Sequence, residues 1–277
     1  MRGFRHRVST QTNSHPTLSL ENGEATKAPR AFQINRQNTI AADCIMIAVT
    51  LALPAESSEF LSRLGNKSHA DRNGITTIRG KIGDHEVEVL HTGVGERVCR
   101  QRLGKFLENQ QFDFLISTGF AGALNDEMQV GDLLLAKNFS TVDLNEKRLS
   151  VSRLPIHMAD LFTAPTLSDS SDERTEIART TGAAAVDMET EFIARACAAH
   201  GIPLLSLRVI TDTPREPFPA PAHVLFDIAK QRTDLPKLAA FFLTHPNRVL
   251  GLLQFARKIA RARKTLADAL VAILREL

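Results

Sequence analysis

Residues 44–53 read Cys-Ile-Met-Ile-Ala-Val-Thr-Leu-Ala-Leu, a continuous apolar run that contains β-branched residues. A run of this length and composition is typical of a strand that is buried on both faces. Pro54 ends the run, and the pattern of residues 56–64 predicts a short helix directly after it. This stretch therefore predicts the first strand and helix of an α/β fold.

The same alternation continues along the chain. Further strands are predicted at residues 75–79, 86–91, 112–118, 133–136, 183–186 and 204–210, and helices before residue 109 and at 191–200, whereas 138–182 stays unassigned. Strands that alternate with helices imply a mostly parallel sheet covered on both faces. Ligands of such sheets bind beyond the carboxyl ends of the strands. This rule selects residues 54–56, 92–95, 119–122 and 211–213.

Composition excludes several classes of protein. The chain has 277 residues and a net charge of +3, with 34 Lys and Arg against 31 Asp and Glu, so we expect no nucleic-acid partner. No apolar run approaches the ~18 residues that cross a bilayer. The 3 cysteines contain no CxxC pair, and the 9 histidines show no HxH or HExxH spacing. We therefore expect neither a disulfide framework nor a metal site.

Charge divides the chain into three parts. Residues 1–41 carry a net charge of +4 and show no hydrophobic period, so we expect this extension to be disordered. Residues 246–277 carry +5, and the 204 residues at 42–245 carry −6. In 246–277, apolar residues recur every seven positions and basic residues fill the rest, which predicts a basic amphipathic helix. This helix could pack on its own domain or on a partner subunit, lie on an anionic membrane surface, or, as the weakest alternative, contact nucleic acid.

Glycines and carboxylates occupy the predicted strand ends. Gly93 and Gly95 belong to a tight strand-to-helix turn, to a backbone that passes close to a ligand, or to an incomplete dinucleotide fingerprint that lacks its third glycine. Glu56, Glu189 and Asp212 each lie at or just beyond a strand end, where a buried acid is costly without a partner. Each alone could be a helix cap or a solvated acid. Together, carboxylates in different environments can divide acid and base roles.

Six motifs follow one another in a fixed order between about residues 44 and 230. The motifs are Ala52-Leu-Pro-Ala-Glu56, Thr92-Gly-Val-Gly95, Ser117-Thr-Gly-Phe-Ala-Gly122, Val130-Gly-Asp132, Val186-Asp-Met-Glu189 and Arg208-Val-Ile-Thr-Asp212. They resemble the nucleoside phosphorylase superfamily, and within it most closely the methylthioadenosine/S-adenosylhomocysteine nucleosidases. The separation of 23 positions between Glu189 and Asp212 matches that family.

The resemblance implies a fold and a set of roles. The fold is a single three-layer α/β domain at 42–245 with a central mixed, mostly parallel sheet, followed by the C-terminal helix. Asp212 would be the general acid that protonates N7 of a purine, and Glu56 would orient or deprotonate the attacking water. Glu189 would accept hydrogen bonds from the ribose hydroxyls, with Met188 beside the sugar. The remaining predicted substrate-binding residues are Phe120, Ala121, Gly122, Gly93 and Gly95.

Two differences from the phosphorylases indicate which nucleophile attacks the sugar. The motif that ends in Glu56 has the nucleosidase form and lacks the glycine-aspartate-proline loop of the phosphorylases, while Phe120 stands where a serine is usual and cannot donate a hydrogen bond to phosphate. Both favour hydrolysis. A phosphorylase of the same fold stays an alternative, as does a non-catalytic nucleoside-binding or membrane-docked module.

The resemblance also sets the expected substrate and setting. It implies a purine nucleoside of the adenosine type, with or without a 5′ modification, and no cofactor or metal. The segment between Asp132 and Val186 is shorter than in the typical nucleosidase, so it identifies neither the base nor the 5′ substituent. We expect a cytoplasmic homodimer with no nucleic-acid partner, and the C-terminal helix allows a peripheral membrane contact.

Overall fold

A mixed sheet forms the centre of the part of the chain that the structure describes. The computed structural model describes residues 45–142, 155–167, 170–221, 224, 227, 231 and 235–277, so the predicted extension at 1–41 lies outside the described residues. The strands lie in the order β2-β3-β4-β1-β5-β10-β6-β7, and β9 pairs with both β5 and β8. Their bounds are β1 Met46–Leu51, β2 Gly65–Arg72, β3 Ile75–Ile82, β4 His85–His91, β5 Phe114–Ala123, β6 Leu133–Ala136, β7 Ile156–Ala159, β8 Leu161–Thr163, β9 Ala185–Asp187 and β10 Leu204–Asp212.

Helices cover both faces of this sheet. Alternate residues of β1 point to opposite faces, and Ile47 packs in one apolar cluster with α1 and α6 while Ala48 packs in another with α2 and α4. This layering confirms the predicted three-layer α/β fold. The helices are α1 Pro54–Leu61, α2 Glu96–Leu107, α3 Ser171–Thr181, α4 Thr190–His200, α5 Leu235–Thr244 and α6 Val249–Leu274, with a 3-10 turn at Pro246–Arg248.

The centre of the sheet is parallel, as predicted. β1 pairs in parallel with β4 and β5, and β5 pairs in parallel with β10. All nine residues of β10 are buried. Strands covered on both faces read as continuous apolar runs, which is why the sequence pattern located them. The antiparallel partners, β2 with β3, β3 with β4 and β6 with β10, make the sheet mixed.

The fifth strand is longer than predicted. The apolar pattern placed its end at residue 118 and a glycine turn at 119–122, but β5 continues through the glycines to Ala123. The extra residues find partners on both sides, because Gly119 lies opposite Arg208 of β10 and Gly122 lies opposite Val186 of β9. These pairings bring the glycine stretch next to the end of β10.

Within the described part of the unassigned segment 138–182, the chain forms the two short strands β7 and β8 and the helix α3. Ser170 caps α3 by accepting a hydrogen bond from the Glu173 amide at 3.1 Å, and Gly182 ends the helix in the left-handed conformation at φ +70°. This Ser-x-x-Glu spacing is the signature of a capping box. Hydrophobic periodicity did not predict α3, because the apolar pattern of this helix is weak. The serine cap and the glycine nevertheless mark its two ends.

The C-terminal helix is present as predicted, and its two halves differ. In the second half, Leu266, Leu270 and Ile273 are buried against the sheet in the same apolar cluster as β1 and β10. In the first half, Leu250 and Leu253 are exposed. Among the described residues, no helix is both long enough and apolar enough to cross a membrane.

Candidate active site

A cavity of about 440 Å³ opens where β5, β9 and β10 end, beside the first turn of α1. This is the sheet edge that the strand-end rule selects. The cavity collects residues that are far apart in the sequence. Seven of the nine predicted site residues line it: Glu56, Phe120, Ala121, Gly122, Met188, Glu189 and Asp212.

Glu56 lies in the first turn of α1 and is only 8% exposed. Its Oε2 atom accepts a hydrogen bond from the Ala52 amide at 3.1 Å. Burial raises the pKa of Glu56 to about 7, although the positive charge of Arg208 and the Ala52 amide oppose the rise. A carboxyl group that titrates near neutral pH is suited to take a proton from a reacting group.

Gly119 of β5 lies directly against the Glu56 carboxylate. A side chain at this position would place its Cβ atom 2.8 Å from Glu56 Oε2, and Gly119 has φ +152°. We expect Gly119→Ala to displace the carboxylate and to lower kcat/KM by about 10²-fold, the order of loss for a misplacement near 1 Å. Steady-state kinetics, with thermal unfolding in parallel, measures this effect.

Gly131→Ala is the matched control for this substitution. Gly131 also has a positive φ, +102°, but no atom lies within 4 Å of the position that its Cβ would take. The control variant carries backbone strain without touching a carboxylate, so we expect it to lose stability while kcat/KM stays near the wild-type value. If both variants lost the same fraction of activity, the close contact between position 119 and the Glu56 carboxylate would not explain the loss in Gly119→Ala.

Glu189 follows β9 and precedes α4, and it is buried next to Met188. Its Oε1 atom accepts a hydrogen bond from the Gly95 amide at 2.8 Å. Burial and the negative charge of Asp187 raise the pKa of Glu189 to about 8. Gly95 therefore contacts the site through Glu189. Gly93 lies apart from the cavity, where a Cβ atom would meet the Val98 side chain at 2.5 Å.

Asp212 is the last residue of β10, and the side chains of Thr211 and Arg174 both contact its carboxylate. Its Oδ1 atom accepts a hydrogen bond from the Thr211 hydroxyl at 3.0 Å, and Arg174 of α3 donates to its Oδ2 atom in a fully buried ion pair. Arg174 also donates to the Ala123 carbonyl at 3.0 Å. A Cβ atom at Gly122 would lie 3.0 Å from Asp212 Oδ2, so the glycine leaves room for this carboxylate. Arg174 is the main site residue that the sequence analysis missed.

A second buried ion pair lies next to these carboxyl groups. Arg208 of β10 donates to Asp187 Oδ2 at 3.1 Å and to the Ser117 carbonyl at 2.9 Å. The Thr163 hydroxyl donates to Asp187 Oδ1 at 2.9 Å, and Thr190 donates to the Asp187 carboxylate as well. These partners satisfy both charges and tie β5, β8, β10 and α4 together. Among the described residues, no group of His, Cys, Asp or Glu is arranged to hold a metal ion.

A small inner chamber of about 10 Å³ lies behind Glu56 and Glu189, and Arg208 reaches it from β10. Thr50 and Thr118 line the chamber as well. Within the described residues, the hydroxyl oxygens of these two threonines are buried and have no hydrogen-bond partner. A cavity of this size with several polar groups around it can hold one water molecule.

The outer wall of the cavity is apolar. It comes mainly from the C-terminal elements, because Leu238 of α5 and Phe255 and Ile259 of α6 line it together with Phe218. The rings of Phe218 and Phe255 meet edge to face at 5.5 Å between centroids. Phe120 lines both the cavity and the inner chamber. The site thus has a charged inner end and an apolar outer wall.

The fold and the site define a member of the phosphorylase superfamily. The family profile described as "Phosphorylase superfamily" matches residues 46–148 and 143–244, which together make up most of the chain. The chain therefore belongs to this superfamily, which confirms the resemblance seen in the motifs.

Curated relatives narrow the comparison. The chain is similar to the 5′-methylthioadenosine/S-adenosylhomocysteine nucleosidase of Colwellia psychrerythraea, with 23% identity over 196 residues that cover 58% of this chain and 81% of that protein. The nucleosidase of the same name from Glaesserella parasuis is 22% identical over 210 residues, which cover 65% of this chain and 90% of that protein.

Solved structures share the fold. The methylthioadenosine/S-adenosylhomocysteine nucleosidase of Campylobacter jejuni superposes with a TM-score of 0.64 at 19% identity and covers 84% of this chain and 100% of that chain. Futalosine hydrolase of Helicobacter pylori superposes with a TM-score of 0.64 at 16% identity, covering 84% of this chain and 98% of that chain.

Proposed function

We propose that this protein hydrolyses the N-glycosidic bond of a purine nucleoside of the adenosine type that carries an apolar 5′ substituent. The proposal is supported by three buried carboxyl groups, of Glu56, Glu189 and Asp212, that line one cavity. It is also supported by the nucleosidase relatives named above. Cleavage of this bond builds positive charge on the sugar and negative charge on the base, so groups of both kinds are needed at the two ends.

Each carboxyl group has one proposed role. Glu56 takes a proton from water as the oxygen attacks C1′ of the sugar. The C1′–N9 bond breaks, its electron pair stays on N9, and Asp212 gives a proton to N7 so that the base leaves as a neutral molecule. Glu189 accepts hydrogen bonds from the ribose hydroxyls, and Met188 packs beside the sugar. The products are a free base and a free sugar.

Arg174 is proposed to position Asp212. Its guanidinium holds one oxygen of the carboxylate and the Ala123 carbonyl at the same time, which fixes Asp212 at the end of β10. Held in this way, the carboxyl group keeps one orientation toward the entering base.

The inner chamber favours water over phosphate as the nucleophile. Its volume of about 10 Å³ suits a single water molecule and is far too small for a phosphate ion. The charges around it also disfavour an anion, because Asp187 already neutralises the guanidinium of Arg208, and Glu56 and Glu189 add negative charge whenever they ionise. Phosphate would therefore meet no unpaired positive charge from Arg208, whereas water can bind Glu56 and the two threonine hydroxyls.

The apolar outer wall indicates the chemistry of the 5′ substituent. With the base at Asp212 and the sugar at Glu189, the rest of the cavity is bounded by Phe218, Leu238, Phe255 and Ile259. Such a wall favours an alkyl or thioether group over a hydroxyl or a charged group.

The test is a panel of 5′-substituted adenosines incubated with the full-length protein in phosphate-free buffer and scored for free adenine. We expect adenosine to be the poorest substrate and kcat/KM to rise by about 4-fold for each buried methylene of a 5′-alkylthio group, from ~0.8 kcal/mol per methylene. If kcat/KM were highest for adenosine and fell as the 5′-alkylthio group became longer, the assignment of an apolar 5′ substituent would be contradicted. No release of base from any nucleoside would contradict the proposed function.

The homodimer and the cytoplasmic location predicted from the resemblance stay predictions. Light scattering on the purified full-length protein measures the mass in solution directly.

A further inference from the structure

The corner between α5 and α6 exposes an unusual amount of apolar surface. We define this α5–α6 corner as residues 243–261. Four of the six most exposed large apolar side chains among the described residues lie in it, namely Leu243 at 83%, Val249 at 40%, Leu250 at 65% and Leu253 at 53%. Single exposed apolar residues are common, but a cluster of this kind marks an interaction site.

The same surface is basic. Residues 235–267 contain seven Lys and Arg residues and no acidic residue. Leu250, Leu253, Arg257 and Arg261 follow one another at steps of three, four and four, which places them on one face of α6. Arg257 and Arg261 are exposed and form no ion pair with any described residue. Lys258 and Lys264, in contrast, pair with Glu216 and Asp268.

The fold does not need this exposed face. The opposite side of the same helix segment presents Phe255 and Ile259 to the catalytic cavity, and residues 262–274 anchor α6 in the core. Along α6, the apolar turn at 250–253 precedes the arginines, and the span from Leu250 to Arg261 is about 16 Å. Apolar side chains can thus enter the acyl boundary of a bilayer while the arginines reach the phosphates.

We propose that the α5–α6 corner docks on an anionic phospholipid bilayer. Charge favours this occupant over a second copy of the chain. A two-fold contact through this corner would place the surface against itself and bring Arg257 and Arg261 close to like charges. Anionic lipids complement these arginines, since each basic side chain near the surface adds to the attraction.

The test is sedimentation of the full-length protein with vesicles of phosphatidylcholine, with and without 30% phosphatidylserine. We expect binding to the mixed vesicles and little binding to phosphatidylcholine alone. Arg257→Gln combined with Arg261→Gln should weaken binding by about 10- to 30-fold, from ~1 kcal/mol for each basic residue. Leu250→Ser combined with Leu253→Ser should weaken it as well.

The matched control also removes two positive charges, but on other surfaces of the protein. Lys81→Gln combined with Arg179→Gln removes two exposed cations that pair with Glu86 and Glu176 on other surfaces, and we expect it to bind like the wild type. Equal binding to both vesicle types, no binding, or equal losses in the control and the arginine variant would overturn the proposal. A fall in mass of the leucine variant by light scattering would overturn it too, because the corner would then join two copies.

Discussion

Replacing Asp212 with asparagine is expected to lower kcat for base release by about 10²- to 10⁴-fold, the usual worth of a positioned general acid. Asparagine fills nearly the same space but has no proton to give to N7. The loss should appear mainly in kcat, because Asp212 acts on the leaving base and Glu189 still holds the sugar. Steady-state kinetics on the best substrate of the nucleoside panel measures both parameters.

The Arg174–Asp212 ion pair complicates this variant and also provides its control. Asparagine breaks a buried ion pair from one side and leaves the buried Arg174 guanidinium with one carboxylate fewer, so we expect Asp212→Asn to lose about 3–5 kcal/mol of unfolding free energy. Adding Arg174→Gln removes the second charge. The double variant should recover most of the stability, measured by urea unfolding, while its activity stays as low as that of Asp212→Asn.

This pattern separates catalysis from folding. If the double variant regains both stability and activity, Asp212 serves only to neutralise Arg174 and the proposed acid lies elsewhere. If Asp212→Asn keeps full activity, the assigned mechanism is wrong.

Replacing Glu56 with glutamine is expected to act in opposite directions on activity and stability. Glutamine cannot take a proton from water, so hydrolysis should fall by about 10²- to 10⁴-fold. The folded protein, however, carries a cost for an ionised carboxylate that is only 8% exposed. Because the pKa of Glu56 is raised from 4.5 to about 7, removing its charge should increase the free energy of unfolding by up to ~3 kcal/mol at neutral pH.

The pH dependence of stability gives a second measurement. Between pH 4.5 and about 8, the folded protein keeps protons on Glu56, with a pKa of about 7, and on Glu189, with a pKa of about 8, that the unfolded chain has released. Stability therefore falls as the pH rises through this range. Glu56→Gln removes one of the two contributions, so the decline should become shallower. Urea unfolding at a series of pH values measures the slope.

Glu59→Gln is the matched control, since Glu59 lies one turn away from the site in the same helix. We expect it to leave kcat, stability and the pH slope close to wild type. A Glu56→Gln variant that is both active and less stable than wild type would contradict the role of Glu56 and the cause of its raised pKa.

Much of the fold was predictable because the central strands are buried on both faces. β1 and β10 read as apolar runs, and Glu56 and Asp212 could be placed at strand ends from these runs alone. The polar strand β2 was missed because it lies at the edge of the sheet, where its residues are largely exposed and need no apolar pattern.

The partners of the site residues could not be predicted, because they depend on distant pairings. Arg174 reaches Asp212 across 38 positions of sequence, and the packing of α3 against β8, β9 and Leu124 brings it there. The apolar wall from α5 and α6 lies outside the motifs for the same reason. A Ser-x-x-Glu cap at Ser170 could have located α3, but no local pattern reports which acid its arginine meets.

The choice of nucleophile is the central claim, and product analysis tests it most directly. Full-length protein freed of phosphate by dialysis is incubated with the best nucleoside of the panel in water enriched in ¹⁸O, with and without added phosphate, and the sugar product is analysed by mass spectrometry. We predict a free sugar with one ¹⁸O at C1′, formed at the same rate in both samples. A strict requirement for phosphate and a sugar 1-phosphate product would contradict the account.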